Sequence, residues 1–260
     1  MNEPNVAPHS SVVSTPKSSN LGAAINRFME RHWLAAFNTG WGLFVTLPWL
    51  APVLMWSGLT GLGRAFYFVY GFFCHQLPER SWFLFGPEFS YSQLQIAESW
   101  GRTLPEISNE LVRRQFIGTA ELGWKVAWSD RMVSMYTAIF LFGLLYALLR
   151  EINFRVPPMP WWLFLLFISP LGLDGITHMV NDVFRLDFRQ TNDWAVALTG
   201  GIFSTSFYQD DAFLSLNSWL RLVTGVLFGF GVVGFLWPLM EQEFGPKPRR
   251  QVLAQDDVRG

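Results

Sequence analysis

Residues 219–240 read WLRLVTGVLFGFGVVGFLWPLM, a run in which Arg221 is the single charged residue. A bilayer core of about 30 Å is crossed by about 20 helical residues, so this run predicts a membrane-spanning helix. Runs of similar length and character occupy residues 33–57, 132–149 and 159–180. The sequence therefore predicts an all-α integral membrane protein with about four transmembrane helices.

The composition excludes several other classes of protein. Of the 260 residues, 50% are hydrophobic, 17% are aromatic and only 15% are charged, whereas a soluble domain carries about 25% charged residues. The net charge of -1 gives no basic field for nucleic acid. The single cysteine, Cys74, excludes an internal disulfide and a cysteine-rich metal cage. We expect no bound metal and no cofactor.

The apolar runs also divide the chain. We expect a disordered N-terminal tail over residues 1–26, one helical membrane domain over residues 27–242, and a cytoplasmic C-terminal tail over residues 243–260. The aromatic stretch at residues 61–74 is too short to span comfortably, so it predicts an amphipathic interfacial helix or a re-entrant segment. Residues 81–131 predict a helical insert on the outer side, where Glu106, Glu110 and Arg114 recur at helical spacing.

Basic residues near the ends of the runs predict the orientation. With four spans, three groups of them fall on one side of the membrane, which the positive-inside rule assigns to the cytoplasm. The groups are Arg27 and Arg31, then Arg150 and Arg155, then Lys247, Arg249 and Arg250. The sequence thus predicts a protein of the inner (plasma) membrane with both termini in the cytoplasm, and with residues 81–131 and 181–218 outside.

A carboxylate lies deep in the third run. Asp174 is costly at that depth unless it is paired or faces water. His178 is four residues further on, hence on the same helix face, and Arg221 lies in the first turn of the fourth run with Asn217 four residues before it. If the third and fourth helices pack antiparallel, Asp174 and Arg221 reach the same level, and we predict that they pair, either as a structural clasp or as part of a site.

The densest group of reactive side chains follows the aromatic stretch. The segment CHQLPERS begins at Cys74 and contains His75, Glu79 and Arg80. Cysteine and histidine are metal ligands and nucleophiles, but a polar helix end solvated at the membrane surface explains the same residues. In the fourth run, the glycines from Gly225 to Gly234 form a small-residue stripe that predicts close helix packing.

Four pieces of the chain, in this order, resemble the domain of unknown function 2085 family of predicted prokaryotic membrane proteins. They are CHQLPERSW from Cys74, an Arg and a Tyr at the start of the second run, PLGLDGITH in the third, and LNSWLRLVTGVLFG in the fourth. In that family a Cys-x-Arg-Cys-x-x-x-Tyr pattern opens the second run. Here Arg131 and Tyr136 match it, whereas Ser129 and Met132 replace the cysteines, which implies that any metal site of the family is lost in this chain.

The resemblance and the predicted topology place a set of polar residues at one level near the outer side. This candidate polar site consists of Cys74, His75, Glu79, Arg80, Arg131, Tyr136, Asp174, His178, Asn217 and Arg221. Catalytic residues cannot be assigned from the sequence.

Three functions are compatible with these features. The favoured hypothesis is a non-enzymatic accessory or complex-associated subunit. One alternative is a membrane-surface enzyme acting on a lipid or isoprenoid, with His75, Glu79 and Asp174 as acid–base groups. The other is a small ion or solute transporter with Asp174 and His178 as a proton relay. The expected partners are the lipid bilayer and either other membrane subunits or further copies of the chain.

Overall fold

The structure is a computed structural model that describes residues 20–184 and 186–245. These residues fall into a small unit, described at residues 20–33 and 244–245, and a main unit of residues 34–243. In the small unit, Asn26 Nδ2 donates a hydrogen bond of 2.9 Å to Glu30 Oε1, as expected one helical turn apart. The contacts between elements and the cavities described below lie within the main unit.

Helices dominate the described residues, and one small sheet interrupts them. The helices are α1 (Asn20–Trp56), α2 (Thr60–Tyr70), α3 (Gln93–Trp100), α4 (Glu110–Arg113), α5 (Asp130–Glu151), α6 (Trp161–Phe184), α7 (Phe188–Thr191), α8 (Asp193–Thr199), α9 (Thr205–Gln209) and α10 (Leu216–Phe244). The strands are β1 (Ser81–Leu84), β2 (Gly118–Thr119) and β3 (Gly123–Ser129), and a 3-10 turn at Pro78–Arg80 precedes β1.

Helices α1, α5, α6 and α10 are long and apolar enough to cross a membrane. This confirms the predicted fold, a helical multi-pass membrane protein. Each helix extends beyond its predicted run at one end or at both, and α1 begins at Asn20, within the residues predicted as the N-terminal tail. The stretch that follows Asn20 lacks proline and carries Ala, Met, Glu and Arg, which favour helix. The remainder of the predicted tails, residues 1–19 and 246–260, lies outside the described residues.

The short aromatic stretch forms helix α2, as predicted. Its 11 residues are about 16 Å long, which is half of a bilayer core. Tyr67 and Tyr70 are buried, whereas Phe68 and Val69 are 70% and 51% exposed. The helix therefore has one face against the protein and one apolar face outward, and its place at the membrane surface stays a prediction.

The insert after α2 contains a sheet that the sequence analysis missed. Strand β3 lies between β1 and β2 and is antiparallel to both. The predicted helical character is present in α3 and α4, but the predicted face of Glu106, Glu110 and Arg114 is wrong. The chain turns between the two helices, and Glu106 instead accepts hydrogen bonds from Thr103.

Two contacts hold the predicted outer segments together. Arg80 Nη2 lies 2.9 Å from Asp211 Oδ2, and the backbone N–H of Phe213 donates to Ser90 Oγ at 2.9 Å. The segment between α2 and α5 and the segment between α6 and α10 therefore lie on the same side of the spans. We call this side the cap side, and we call the two segments, residues 71–129 and 186–215, the cap.

Candidate functional site

The sheet brings the CHQLPERS segment against the start of α5. Ser81 in β1 pairs with Ser129 at the end of β3, and α5 begins at the next residue. As a result the Cys74 thiol lies 3.4 Å from Ser129 Oγ, and the backbone N–H of Gln76 donates to Cys74 Sγ at 3.3 Å. The position at which the resembled family carries cysteine thus faces Cys74.

A fully buried lysine, Lys125, joins the CHQLPERS segment to the end of α4. Lys125 Nζ donates to the carbonyl oxygens of Gln76 and Arg114 at 2.6 and 3.0 Å. Burial lowers the pKa of Lys125 to about 7 because the charged form is poorly solvated there. Lys125 therefore acts as a structural brace for the CHQLPERS segment.

Asp174 lies at the centre of a buried ion cluster. Its Oδ2 accepts from Arg131 Nη2 at 2.6 Å, and its Oδ1 accepts from Arg189 Nη2 at 2.6 Å. Arg131 lies in the first turn of α5 and Arg189 lies in α7, so Asp174 of α6 joins a neighbouring span to the cap. Short charge-assisted bonds of this kind compensate part of the cost of burying the carboxylate.

Arg221 forms the second half of the cluster. Its Nε donates to both carboxylate oxygens of Asp130 at 2.8 and 2.9 Å. Its Nη1 donates to Asp211 Oδ1 at 3.1 Å and its Nη2 to the Asp211 carbonyl at 2.6 Å. Arg221 is 1% exposed, so these bonds join α10 to α5 and to the cap in a site that excludes solvent.

These contacts correct the predicted ion pair. Asp174 and Arg221 lie near the same level, but Asp174 is paired with Arg131 and Arg189, while Arg221 is paired with Asp130 and Asp211. The prediction of a direct Asp174–Arg221 pair was therefore wrong. The depth of both groups could be predicted from the sequence, but their partners Arg189, Asp130 and Asp211 were not predicted.

Asp211 connects the two halves to the CHQLPERS segment. Arg80 Nε donates to its Oδ2 at 2.9 Å, and Arg80 Nη2 also lies 3.8 Å from Asp182. Burial by itself would raise the pKa of Asp211, but the guanidinium groups of Arg80 and Arg221 lower this pKa well below its usual range. Asp211 is consequently a permanently charged bridge between two arginines.

Asparagine side chains fix the turn that carries Arg189. Asn217 Nδ2 and Asn192 Nδ2 both donate to the Arg189 carbonyl, at 2.9 and 3.0 Å. Asn181 Oδ1 accepts from the Arg189 backbone N–H at 3.0 Å. Because buried amides satisfy the backbone there, the Arg189 side chain is held towards Asp174.

Hydrogen bonding determines the tautomer of His178. Its Nε2 lies 2.8 Å from Arg189 Nη2, and a guanidinium can only donate, so Nε2 accepts and Nδ1 carries the proton. Among the described residues, His178 Nδ1, Arg131 Nε and Arg189 Nε are buried without a hydrogen-bond partner. The cluster therefore contains buried N–H donors that have no hydrogen-bond acceptor among the described residues.

A cavity of about 410 Å³ borders the cluster, and we call it the span cavity. Arg80, Arg131 and Arg221 contribute to its polar wall, and Met179 and Val183 of α6 belong to its apolar wall. Met179 and Val183 are 59% and 68% exposed. The remaining lining residues are Cys74, His75, Gln76, Leu77, Glu110, Ser129, Met132, Gly175, His178 and Asp182.

A second cavity, of about 290 Å³, lies towards the cap, and we call it the cap cavity. It shares Arg80, His178 and Asp182 with the span cavity. Its other lining residues come mainly from the cap and are Gln93, Leu94, Leu104, Arg113, Asn181, Arg189, Gln190, Gln209, Asp210, Asp211 and Asn217. The two cavities thus lie on either side of three shared side chains.

The structure brings together most of the predicted site. Cys74, His75, Arg80, Arg131, His178 and Arg221 line the span cavity, Asp174 lies behind it, and Asn217 lines the cap cavity. Glu79 is instead buried against Arg113, with Oε1 2.8 Å from Nε. Tyr136 packs among the rings of Trp41, Phe44 and Trp128. These two residues therefore support the fold beside the site.

Sequence reasoning missed Asp130, Asp211 and Arg189. Asp130 is adjacent to Arg131 at the start of a predicted span, and that position was a usable signal. Arg189 and Asp211 lie in the acidic and aromatic segment between two spans, where no periodic pattern specifies which side chains return to the bundle. Their roles depend on the path of the cap.

The described residues contain no group of three or more His, Cys, Asp and Glu side chains suited to a metal ion. Ser129 and Met132 do border the same cavity as Cys74. The expectation that the chain binds neither metal nor cofactor stays a prediction.

Comparison with known proteins finds a family match and a relative of low identity. An uncharacterized protein of Methanocaldococcus jannaschii, MJ1492, is 21% identical over 202 residues, which cover 76% of this chain and 85% of that protein. No solved structure matches the chain. Residues 120–235, from β3 to α10, match the family described as predicted membrane proteins of domain of unknown function 2085, which confirms the family resemblance predicted from the sequence.

Proposed function

We propose that this multi-pass membrane protein is non-enzymatic and binds an anionic amphiphile, a lipid with a phosphate or carboxylate head, in the span cavity. The observation that carries the proposal is the wall of this cavity. Among the described residues, Arg80, Arg131 and Arg221 line it together with two carboxylates, Glu110 and Asp182. Guanidinium groups bind phosphate and carboxylate oxygens with directed hydrogen bonds.

The apolar part of the wall favours an amphiphile over a free anion. Met179 and Val183 lie near the cap-side end of α6 and are largely exposed. On a membrane-spanning helix, exposed apolar side chains face lipid. A lipid can therefore place its head at the arginines while its chains stay beside α6.

The ion pairs favour binding over acid–base catalysis. Asp130 and Asp174 each accept charged hydrogen bonds on both carboxylate oxygens. A general base needs a lone pair within reach of the proton that it removes. Pairing of this kind instead fixes the arginines in position, which lowers the entropy lost on binding.

The test is lipid retention measured by native mass spectrometry of the protein from nanodiscs. We expect phosphatidylglycerol to be retained over phosphatidylcholine by about tenfold, which corresponds to about 1.4 kcal/mol. Gly175 lines the span cavity, and a Cβ there would lie 3.5 Å from Arg131 Nη1, an ordinary contact. Gly175→Leu should fill the cavity and abolish the preference.

Gly172→Leu is the matched control, because it adds the same side chain one turn earlier, where a Cβ meets nothing within 4 Å. This variant should retain lipid like the wild type. Equal retention of the two lipids by the wild type, or an unchanged preference in Gly175→Leu, would contradict the proposal.

An accessory role in a larger complex is a second candidate. Its support is the surface of α6, in whose apolar window only 11% of the residues are buried, against 28–39% in the other spans. This face is available to lipid or to a partner helix. Leu166 of α6 is 60% exposed, so Leu166→Trp should disturb a partner helix bound there. The accessory role would be supported by stoichiometric co-purification of a membrane protein from native membranes that is lost in this variant.

We also propose that both termini are cytoplasmic and that the cap faces outward, since this orientation agrees with the distribution of basic residues. In a Cys74→Ser background, a membrane-impermeant reagent applied to intact cells should label Ser206→Cys in the cap. Labelling only after permeabilisation would reverse the orientation.

A further inference from the structure

The cap cavity and the span cavity differ in charge. The cap cavity is lined by three arginines (Arg80, Arg113, Arg189) and three aspartates (Asp182, Asp210, Asp211). Its charged side chains therefore balance, whereas the span cavity has an excess of arginine. Electrostatics select an anion on the span side and a neutral group on the cap side.

Amide side chains dominate the rest of the polar wall. Gln93, Gln190, Gln209, Asn181 and Asn217 all line the cap cavity. An amide offers donors and an acceptor together, which is also what a hydroxyl group offers to a partner. In the described part of the chain, the exposed side chains of Gln190 and Gln209 have no protein partner. Their hydrogen-bonding capacity is available to a ligand.

The partition between the cavities has one weak contact. Arg80 lies 2.9 Å from Asp211 but 3.8 Å from Asp182. A separation of 3.8 Å is too long for a hydrogen bond. Asp182, which lines both cavities, is therefore held to Arg80 less tightly than Asp211 is.

We infer that the cap cavity receives the hydroxyl-rich head group of the same lipid whose phosphate lies in the span cavity. The inference rests on the proposed function and narrows its ligand to a phospholipid esterified with a polyol. Arg80 lies at the boundary and contacts the phosphate, while the glutamines contact the hydroxyls. The cavity volume of about 290 Å³ suits one small head group, near the lower limit of ligand pockets at about 300 Å³.

The experiment compares lipids of equal charge in competition. Phosphatidylmethanol, phosphatidylglycerol and phosphatidylinositol share the phosphodiester and differ in the number of hydroxyls. In nanodiscs analysed by native mass spectrometry, we expect retention to rise in that order, by about tenfold overall. The double variant Gln190→Ala with Gln209→Ala should retain all three lipids equally, at the level of phosphatidylmethanol.

Gln115→Ala is the matched control, since this exposed amide lies outside the cavity and donates within its own segment to the Leu111 carbonyl. It should preserve the order of the three lipids. Equal retention of the three lipids by the wild type, all above phosphatidylcholine, would overturn this inference and leave the proposed function standing. An unchanged order in the double variant would overturn it as well. Retention of none of them above phosphatidylcholine would overturn both.

Discussion

Helices α5 and α10 are joined by charge at their cap-side ends and by small residues further along. At the end, Arg221 of α10 is paired with Asp130 of α5. One turn along, Gly225 packs against Ser134, and Gly229 packs against Ala138. The same two helices thus form a directional ion pair near the site and close van der Waals packing within the apolar span.

The difference indicates how the protein fixes the positions of its polar side chains near the membrane surface. Small residues allow close approach but permit sliding and rotation. The Arg221 Nε donor, shared by both carboxylate oxygens of Asp130, fixes the register of the helices. We infer that packing holds the helices together and that the ion pairs set the geometry of the cavities.

The largest expected effect comes from breaking the charged contact. Arg221→Gln should lower the free energy of unfolding by about 3–5 kcal/mol, because Asp130 stays buried without its guanidinium partner. Unfolding by SDS titration in detergent measures the change. Adding Asp130→Asn should recover part of the loss, and a double variant less stable than Arg221→Gln would contradict the pairing.

Disturbing the glycine packing between α5 and α10 should cost less free energy of unfolding than breaking the Arg221–Asp130 ion pair. Gly225→Leu should cost about 1–3 kcal/mol, because a side chain there overlaps Ser134 and the α5 backbone. The same unfolding assay compares it with Gly40→Leu, where a Cβ meets nothing within 4 Å. A Gly225→Leu protein as stable as the control would show that α5 and α10 are not in close contact.

Lys125 provides a buried charge that hydrogen bonds to carbonyl groups. Its pKa is about 7 in the folded protein and about 10.4 when unfolded. Between these values the unfolded chain binds the extra proton, so stability rises with pH. From pH 7 to pH 9 we expect a gain of about 2 kcal/mol in the free energy of unfolding.

The control for this pH dependence is Lys125→Met, which should show a flatter profile over the same range. Equal slopes for the wild type and Lys125→Met would mean that Lys125 keeps its proton in the fold.

The smallest effect is expected at the opposite end of α5. Arg150 Nε lies 3.3 Å from Glu241 Oε1, and both side chains are about one-third exposed. Arg150→Ala should change the free energy of unfolding by about 0–1 kcal/mol. A loss as large as that of Arg221→Gln would remove the distinction between the buried and the exposed ion pair.

The glycine packing and the buried ion pairs also differ in how far the sequence predicted them. Length and apolar character define four spans, and the spacing of Gly225 and Gly229 indicates a packed face, because both properties are local to a helix. The partners of Asp174 and Arg221 are not local. Arg189 lies in the cap, whose short helices have no strong periodicity. Asp130 is the first residue of α5 and is positioned by the strand pairing that ends at Ser129, which no alternating sequence pattern indicated.

The position of Cys74 offers a chemical reporter of the site. It is the single thiol of the chain, it borders the span cavity, and it is 8% exposed. A small alkylating reagent would reach this sulfur through the cavity, so the rate of alkylation measures how open the cavity is. Occupancy can therefore be followed by reaction kinetics in the native sequence, with no engineered label.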